Sequence, residues 1–358
     1  MKLAEFPDDL RGRPRTDRMM RVIGTILSNY LRAAERAEYR DTVAGHNPDR
    51  AMHLVVTERE VVAADADVAA ITLAAPDGAE LPIWHPGSHL DLHLPSGRRR
   101  QYSLCGDPDD RHSYRVAVRR IADGGGGSIE MHALQPGSTV TVRGPRNGFP
   151  FVGTGSALFV AGGIGITPII AMVREAIRTG MDWQFVYCGR TRETMPFLDE
   201  IAQWDQSRVF VRTDEEHGLP APGELLERAA PGGAVYCCGP TPMLNTVRRE
   251  FRDCRATALH FERFGPPPIT NGRAFDVQLV SDGSVVTVGA DESLLTAVKK
   301  TRPDVAYSCQ QGFCGTCKVR VLSGAPEHLE NRLTLDEQQG HMLICVSRSA
   351  GERLVLDI

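Results

Sequence analysis

The sequence lacks the long apolar run that a membrane-spanning helix requires. None of its segments approaches the roughly 20 consecutive apolar residues needed to cross a bilayer. Its first residues, Met-Lys-Leu-Ala-Glu-Phe-Pro-Asp-Asp, also lack the apolar stretch of a secretory signal. These absences predict a cytoplasmic protein without membrane association.

An excess of charge of one sign is also missing. The chain contains 41 lysines and arginines against 45 aspartates and glutamates, which gives a formal net charge of -4, and both signs are mixed along its length. A nucleic-acid-binding domain usually carries a basic patch. The composition therefore argues against nucleic acid as a partner.

Cysteine is too sparse for a disulfide framework. Nine cysteines are scattered irregularly over 358 residues, whereas small disulfide-stabilised proteins are dense in cysteine. A reducing compartment is expected, in which thiolates remain available to a metal. The length exceeds one ordinary hydrophobic core, so two or three domains are predicted.

The first fifty residues differ in pattern from the rest. Apolar side chains at three- and four-residue steps predict one amphipathic helix in an extension comprising residues 1–50. This helix either packs on the body of the protein or serves partner docking or dimerisation. The apolar positions are Met19, Met20, Ile23, Ile26, Leu27, Tyr30 and Leu31.

Residues 51–152 consist of short runs rich in β-branched residues, separated by turn residues such as Pro76-Asp-Gly. This rhythm predicts a small antiparallel β-barrel or sandwich. In residues 153–264, apolar strands alternate with helical stretches, which predicts a parallel α/β sheet. A proline-containing linker at 265–272 then leads into a last domain that ends at residue 358.

Four cysteines in the last domain follow a known ligand spacing. Cys309, Cys314 and Cys317 are separated by four and two residues, and Cys345 follows 28 positions later. This is the spacing of a plant-type [2Fe-2S] cluster. A structural zinc site usually needs two Cys-x2-Cys pairs, and a redox-sensing loop does not need four cysteines. The pattern favours a one-electron cluster.

A glycine-rich turn follows the apolar strand predicted at residues 157–161. It contains Gly162, Gly163, Gly165 and Thr167 and opens into a predicted helix. The N-H groups of such a turn can bind a pyrophosphate, although a tight turn without a ligand uses glycines as well. The motif by itself is weak evidence for nucleotide binding.

A second turn at a strand end strengthens that interpretation. Cys238, Gly239 and Pro240 follow another apolar strand, and ligands of parallel sheets bind at the carboxyl ends of the strands. Cys238 is alternatively a small buried core residue. Together the two turns predict a nicotinamide nucleotide site.

A flavin is chemically required if a nicotinamide is to supply a one-electron cluster. Arg100, Tyr102 and Ser103 lie on a predicted strand and offer a guanidinium, an aromatic ring and a hydroxyl. The segment 124–128, Gly-Gly-Gly-Gly-Ser, is suited to surrounding a phosphate. The alternatives are a solvent-exposed strand face and a flexible hairpin loop.

Three motifs occur in one order along the chain: Arg-x-Tyr-Ser-Leu, then Gly-Gly-Ile-Gly-Ile-Thr-Pro with Cys-Gly-Pro, then the four cysteines. In this order the chain, from about Met52 to Ile358, resembles the phthalate dioxygenase reductase family. The resemblance implies a ferredoxin-reductase-type flavin-binding antiparallel β-barrel, a parallel α/β nucleotide-binding domain and a C-terminal β-grasp plant-type ferredoxin domain. It also implies FMN as the flavin.

The resemblance assigns roles to individual residues. It implies that Ser103, Cys238 and Glu262 are catalytic, with Thr167 and Cys238 near the reacting ring. Gly125 departs from the arginine that the family often has there, which leaves more of the phosphate charge to arginines elsewhere. The implied cofactor-binding set is Arg100, Tyr102, Ser103, Ala117, Val118, Arg119, Gly126, Gly127, Ser128, Gly162, Gly163, Gly165, Thr167, Cys238, Gly239, Pro240 and Phe264.

The implied function is that of a reductase component, acting as a monomer. Electrons are expected to pass from NADH to FMN to the cluster and then to a separate terminal oxygenase of the Rieske type, because the sequence shows no two-His-one-carboxylate site. A cytochrome P450 is the alternative acceptor, and a redox sensor or a simple electron carrier is a more distant alternative. NADPH is an alternative to NADH, because the guanidinium groups of Arg190 and Arg192 could contact its 2'-phosphate.

The last domain also carries acidic residues that could steer a basic partner. A solvated surface is the simpler interpretation of the same residues. They are Glu327, Glu330, Asp336 and Glu337.

Overall fold

The computed structural model describes residues 51–63, 67–122, 125–153, 155–267, 269–312, 314–330 and 332–358. The helix predicted in residues 1–50 lies outside the described residues. Ala51–Ile358 form one compact unit, which contains three principal sheets in chain order. Among the described helices, none is long and apolar enough to cross a membrane.

The first sheet has six antiparallel strands in the order β4-β3-β6-β1-β2-β5. Leu104, directly after β4, bridges Val116 in β5, which brings the two edge strands together. Closing a sheet in this way satisfies its free edges, as in a small barrel. The elements are β1 (Met52–Ala63), β2 (Val68–Ala74), β3 (Ser88–His93), β4 (Arg99–Ser103), β5 (Ser113–Arg119), α1 (Gly127–Ala133) and β6 (Thr139–Asn147).

The second sheet has five parallel strands in the order β11-β10-β7-β8-β9. The chain order reverses between β7 and β10, and this is where ligands bind in such sheets. Its elements are β7 (Ser156–Gly162), α2 (Ile166–Arg178), β8 (Asp182–Gly189), α3 (Leu198–Ile201), β9 (Val209–Thr213), α4 (Asp214–His217), β10 (Ala234–Cys238), α5 (Thr241–Glu250) and β11 (Ala258–Glu262).

Strand β7 is apolar throughout because both of its faces are covered. Phe159 and Ala161 join one hydrophobic cluster, whereas Leu158 and Val160 join another on the opposite face. Continuous apolar runs are typical of strands in a parallel sheet with packing on both sides. The prediction of a parallel α/β sheet from the alternating pattern is confirmed.

The third sheet has the order β13-β12-β18-β14-β16, with β12 and β18 parallel and the other pairs antiparallel. A further strand pair, β15 with β17, lies beside it. The elements are β12 (Phe275–Leu279), β13 (Val285–Val288), α6 (Leu294–Thr301), β14 (Lys318–Ser323), β15 (Pro326–Glu327), α7 (Leu335–Gln338), β16 (His341–Leu343), β17 (Arg348–Ser349) and β18 (Arg353–Asp357).

Helix α6 packs its apolar side against this third sheet. The Ser293 side chain caps the helix by accepting a hydrogen bond from the Thr296 N-H, which satisfies one of the unpaired donors at the helix start. Leu294, Leu295 and Val298 are completely or almost completely buried. Lys299, four positions after Leu295 in α6, lines the cavity described below.

Candidate functional site

A cavity of about 430 Å³ is lined by residues from all three sheet regions, a volume in the range of small-molecule and cofactor sites. The barrel contributes Arg100, Tyr102, Ser103, Ala117, Val118, Arg119, Gly125, Gly127 and Ser128. The second region contributes Ile164, Thr167, Glu262, Arg263 and Phe264, and the third contributes Lys299, Tyr307, Ser308, Cys309, Gln310 and Gln311.

The barrel side of the cavity is formed where β4 meets β5. The bridge between Leu104 and Val116 places Tyr102 and Ser103 near Ala117. Burial raises the pKa of the Tyr102 phenol, which therefore stays protonated at neutral pH. An aromatic ring, a hydroxyl and small side chains at one site suit a flat ring system that needs both stacking and hydrogen bonding.

One end of the cavity combines glycines with cationic side chains. A Cβ on Gly127 would lie 2.7 Å from Arg100 Cγ, and a Cβ on Gly125 would lie 2.8 Å from Arg100 Nη2. Side chains at these two positions would therefore displace the guanidinium, so the glycines make room for it. Arg119 also lines this cavity. Unshielded backbone beside guanidinium groups fits a flavin phosphate.

Two residues of the predicted phosphate loop, Ser128 and Gly126, differ in their relation to the cavity. Ser128 Oγ accepts a hydrogen bond from the Ile121 N-H at 3.0 Å while still lining the cavity. Gly126 has φ 77° and precedes α1, and it is not among the residues that line the cavity. Its backbone conformation is one that glycine adopts without steric cost.

The two turns predicted to bind the nucleotide approach each other closely at the end of the second sheet. A Cβ on Gly165 would lie 2.6 Å from the Cys238 carbonyl carbon and 2.7 Å from Gly239 Cα. A Cβ on Gly162 would lie 2.7 Å from Pro240 Cδ. The glycines therefore permit a contact between the turns that follow β7 and β10. This is the reversal point of the sheet, where a dinucleotide is expected.

Thr167 and Cys238 differ in where they lie. Thr167 lines the cavity and its hydroxyl donates a hydrogen bond to the Ile164 carbonyl at 3.1 Å. Cys238 is fully buried in a hydrophobic cluster and does not line the cavity. Burial raises the pKa of its thiol well above the usual value. The surroundings of Cys238 are therefore those of a small core residue, which was the alternative interpretation. The catalytic role of Cys238 stays a prediction.

Glu262 is a buried carboxyl group in the cavity. It pairs in register with Cys238 across two parallel strands, and its Oε2 has no hydrogen-bond partner among the described residues. Burial raises the pKa of Glu262 to about 8, an effect that a hydrogen bond with Ser103 partly opposes. An unsatisfied buried oxygen aimed at a cavity fits a polar ligand group.

We expect Glu262→Gln to change how stability depends on pH in the flavin-free protein. The folded state holds a proton on Glu262 up to about pH 8, whereas the unfolded state loses it near the ordinary pKa of 4.5. The contribution of this proton to the free energy of unfolding is therefore complete below pH 4.5 and is lost as pH rises through 8. Relative to wild type, the variant should gain about 1.4 kcal/mol per pH unit within this window. Thermal unfolding at pH 6, 7 and 8 measures it.

Glu193→Gln is the matched control for that measurement. A backbone hydrogen bond lowers the pKa of the exposed Glu193 carboxyl, so the difference between this variant and wild type should stay constant from pH 6 to 8. A constant difference for Glu262→Gln as well would contradict the raised pKa.

The four cysteines of the predicted cluster form two pairs. Cys309 and Cys314 share a hydrogen bond, as do Cys317 and Cys345, and charge interactions link the pairs through Cys317 and Cys314. In the described part of the chain, no group of three or more metal-binding side chains is placed for a single ion. Two pairs fit a cluster with two irons, since each iron takes two thiolates.

The loop around the first cysteines faces the cavity. Cys309, Gln310 and Gln311 line it, and the Gln311 amide donates a hydrogen bond to the carbonyl of Arg263. Gly312, with φ 83°, lies against Val346. The loop lies at the contact between the second and third sheet regions.

One acidic residue considered for partner steering is buried. Glu330 is 6% exposed and accepts hydrogen bonds from Ser347 and, at 2.6 Å, from His328. It joins neighbouring segments of the domain and cannot present its charge to a partner. Glu337 caps α7 through Thr334 and pairs with Lys318 at 3.2 Å. The suggestion of a steering role was therefore wrong for Glu330.

Sequence reasoning missed the contribution of the third region to the cavity beyond the cysteines. Tyr307, Ser308 and Lys299 line it, and Ser308 Oγ is a buried atom without a hydrogen-bond partner among the described residues. Tyr307 stands two positions before Cys309. An aromatic side chain close to a predicted ligand cysteine was a signal, but no local pattern in the sequence shows that Tyr307 reaches the barrel.

Three family comparisons cover most of the compact unit. Residues 53–151 match the family described as an oxidoreductase FAD-binding domain, and residues 159–249 match an oxidoreductase NAD-binding domain. Residues 279–350 match a 2Fe-2S iron-sulfur cluster binding domain. The predicted flavin, nicotinamide and cluster domains are confirmed in this order.

Two of the compared proteins match this chain along their full length, and a third matches it over part of its length. The reductase subunit of tert-butanol monooxygenase / tert-amyl alcohol desaturase from Aquincola tertiaricarbonis is 36% identical over 340 residues, 89% of this chain and 100% of that protein. The solved structure of a phthalate dioxygenase reductase is 35% identical with a TM-score of 0.64, covering 87% of this chain and 100% of that one. An intact type IV self-sufficient cytochrome P450 monooxygenase is 36% identical with a TM-score of 0.63, and the match covers 86% of this chain but 41% of that protein.

Proposed function

The chain belongs to the phthalate dioxygenase reductase family, and we propose on that premise that it carries electrons from NADH through FMN and a [2Fe-2S] cluster to a separate terminal oxygenase of the Rieske type. As a family member it is an oxidoreductase, an electron-transfer reductase of oxygenase systems with flavin, NAD and [2Fe-2S] domains. The identity of the flavin, of the nicotinamide and of the acceptor is the proposed part.

The shared cavity is the observation that carries the proposal. Ser103 from the barrel, Thr167 from the nucleotide-binding region and Cys309 from the cluster loop line one space. A cofactor bound in this cavity therefore has the nucleotide turn on one side and a cluster ligand on the other. This arrangement supports a single order of transfer, from nicotinamide to flavin to cluster.

The residues present fit the groups that this order requires. When bound, a flavin takes two electrons from a nicotinamide and releases them singly, and a [2Fe-2S] cluster carries one electron. Arg100 with Gly125 and Gly127 would hold the flavin phosphate, and Tyr102 would contact the ring. FMN is proposed from the family resemblance.

Glu262 and Ser103 provide the polar part of the reaction site. The Glu262 carboxyl, with a pKa raised to about 8 by burial, is protonated at neutral pH. It can therefore donate a hydrogen bond from its carboxyl oxygen to a ligand ring atom that gains negative charge. Ser103 is 7% exposed and orients that carboxyl through their hydrogen bond.

The charges around Arg192, one of the two arginines that left NADPH as an alternative, support NADH over NADPH. Arg192 donates to both carboxylate oxygens of Glu216, at 2.9 and 3.3 Å. The carboxylate neutralises the Arg192 guanidinium, and Glu215 adds negative charge in the same short helix. Like charges oppose a phosphate and tolerate a ribose hydroxyl.

A cytochrome P450 remains the second candidate acceptor. The self-sufficient P450 monooxygenase contains, within a longer protein, a region similar to 86% of this chain. The relative from Aquincola tertiaricarbonis is instead named as a reductase subunit of a monooxygenase and desaturase system. The match covers the full length of that reductase subunit, which supports an acceptor on another chain, and the Rieske type is proposed from the family resemblance.

The proposal is tested by anaerobic titration of the purified protein with NADH and with NADPH. We expect NADH to bleach the flavin absorbance and to produce a rhombic EPR signal from the reduced cluster, at lower concentrations than NADPH. Absence of bleaching by either nucleotide would favour a sensor or a simple carrier and overturn the reductase. Bleaching without the rhombic signal would overturn the cluster assignment.

The acceptor is tested with the reduced protein. A Rieske oxygenase and a cytochrome P450 from the same organism are mixed with it in a stopped-flow instrument under anaerobic conditions. Faster reduction of the Rieske centre supports the proposal, whereas faster reduction of the P450 haem would establish the second candidate in its place.

A further inference from the structure

The Tyr307 hydroxyl joins two cationic side chains from different parts of the molecule. Arg100 Nη2 in β4 of the barrel donates to it at 2.7 Å. Lys299 Nζ, from α6 in the cluster-binding region, donates to it at 3.1 Å. Tyr307 is 9% exposed. The phenol oxygen therefore holds a guanidinium and an ammonium side by side at the cavity.

The ring of Tyr307 contacts both cations as well. Arg100 Cζ lies 4.4 Å and Lys299 Nζ 4.2 Å from its centroid, both within the range of a cation-π interaction. These contacts orient the two positive charges without neutralising either of them. Two unneutralised cations held together repel each other unless an anion lies between them.

None of the described carboxylates forms an ion pair with Arg100 or Lys299. The neighbouring cations do have such partners: Arg98 pairs with Glu130, and Lys300 pairs with Glu292, each at 2.6 Å. The Arg100 guanidinium instead donates to the carbonyls of Arg99 and Gly125, at 2.8 and 3.0 Å. The described part of the chain thus leaves a doubly positive position with hydrogen-bond donors that face the cavity.

We propose that Lys299 and Tyr307, together with Arg100, form the phosphate-binding end of the flavin site, so that the cluster domain supplies part of the binding site for the flavin. This rests on the proposed function and deepens it. All three side chains line the cavity beside Gly125, and a Cβ on Gly125 would collide with the Tyr307 hydroxyl. The ammonium group supplies the second positive charge, and the phenol holds it beside Arg100.

A flavin phosphate in this position would also affect how the barrel and the cluster domain associate. A phosphate bound by both Arg100 and Lys299 joins the barrel to the cluster domain. Binding of the phosphorylated flavin should therefore stabilise the arrangement in which the cluster loop, with Cys309 and Gln311, lines the cavity. Riboflavin, which has no phosphate, should lack this effect.

The test compares the binding of FMN and riboflavin to the flavin-free full chain by fluorescence quenching. For Lys299→Met we expect the Kd of FMN to rise about tenfold, since a charge-assisted contact is lost, with the Kd of riboflavin changed less than about twofold. The salt dependence of FMN binding should weaken too, because one positive charge no longer contributes. Tyr307→Phe should produce a smaller rise for FMN alone.

Lys300→Met is the matched control, since Lys300 is the next residue of the same helix and pairs with Glu292. It should leave both dissociation constants unchanged. The visible absorbance of the cluster confirms that each variant is folded in this domain. Equal shifts for FMN and riboflavin in Lys299→Met, or no shift in either, would overturn the role in phosphate binding.

These outcomes are distinct from failure of the proposed function. If the wild-type chain binds neither flavin, the reductase proposal fails before any variant is compared. If the wild-type chain binds FMN and is reduced by NADH but Lys299→Met behaves like wild type, only the role of Lys299 and Tyr307 fails.

Discussion

Cys317→Ser is expected to lower NADH-dependent reduction of cytochrome c by about 100-fold or more, because a cluster that loses a thiolate ligand is no longer held. Cys317 is 3% exposed and shares a hydrogen bond with Cys345. Reduction of ferricyanide, a small acceptor that can take electrons directly from a flavin, should persist. Cytochrome c and ferricyanide assays, with iron content, measure the difference.

Cys254→Ser is the matched control for the loss of the cluster. Cys254 is a free, partly exposed cysteine near the end of the nucleotide-binding region, and its sulfur accepts only a weak contact from the Ala256 N-H at 3.5 Å. It should retain full iron content and cytochrome c activity. If Cys317→Ser also retained its iron and its EPR signal, the cluster ligands would have been assigned wrongly.

Gly165→Ala is expected to raise the KM for NADH by about tenfold. The added methyl group overpacks the turn that is predicted to bind the nucleotide, at a cost of about 1–3 kcal/mol. The new Cβ would lie 2.6 Å from the Cys238 carbonyl carbon and 2.7 Å from Gly239 Cα. Both atoms belong to the backbone, so the two turns must move apart. Steady-state ferricyanide reduction at varied NADH measures the effect.

Gly351→Ala provides the comparison for this substitution. Nothing lies within 4 Å of a Cβ at Gly351, and its backbone angle is one that alanine adopts. Its KM and melting temperature should match wild type. In Gly165→Ala the cluster content should stay normal, since the four cysteines predicted to hold the cluster lie in another region of the chain. An unchanged KM would show that the turns after β7 and β10 do not bind the nucleotide.

Patterns local in sequence predicted much of the fold. The apolar strand before Gly162 is β7, and the helix expected after the glycine-rich turn is α2 (Ile166–Arg178). The strand expected to carry Arg100, Tyr102 and Ser103 is β4. Such patterns are predictive because a strand buried on both faces must be apolar, and a helix must begin where the chain turns.

Residues whose position depends on packing were harder to place. Cys238 follows a nucleotide-binding pattern, yet its side chain points into a hydrophobic cluster. Glu330 looks like a surface acid in the sequence, yet it is buried against His328 and Ser347. The local sequence around each residue does not show whether its side chain is buried, because segments distant in the chain cover it.

The sequence by itself determined the types and order of the domains, and it predicts the four cysteines as cluster ligands, because cofactor chemistry imposes ligand identity and spacing along a short loop. The tertiary structure alone decided which side chains share one cavity. Arg100 and Tyr307 meet across 207 positions of sequence, and Lys299 reaches them from a third element. Contacts of that kind depend on how complete domains pack against one another. The spacing of residues within a short segment does not indicate them.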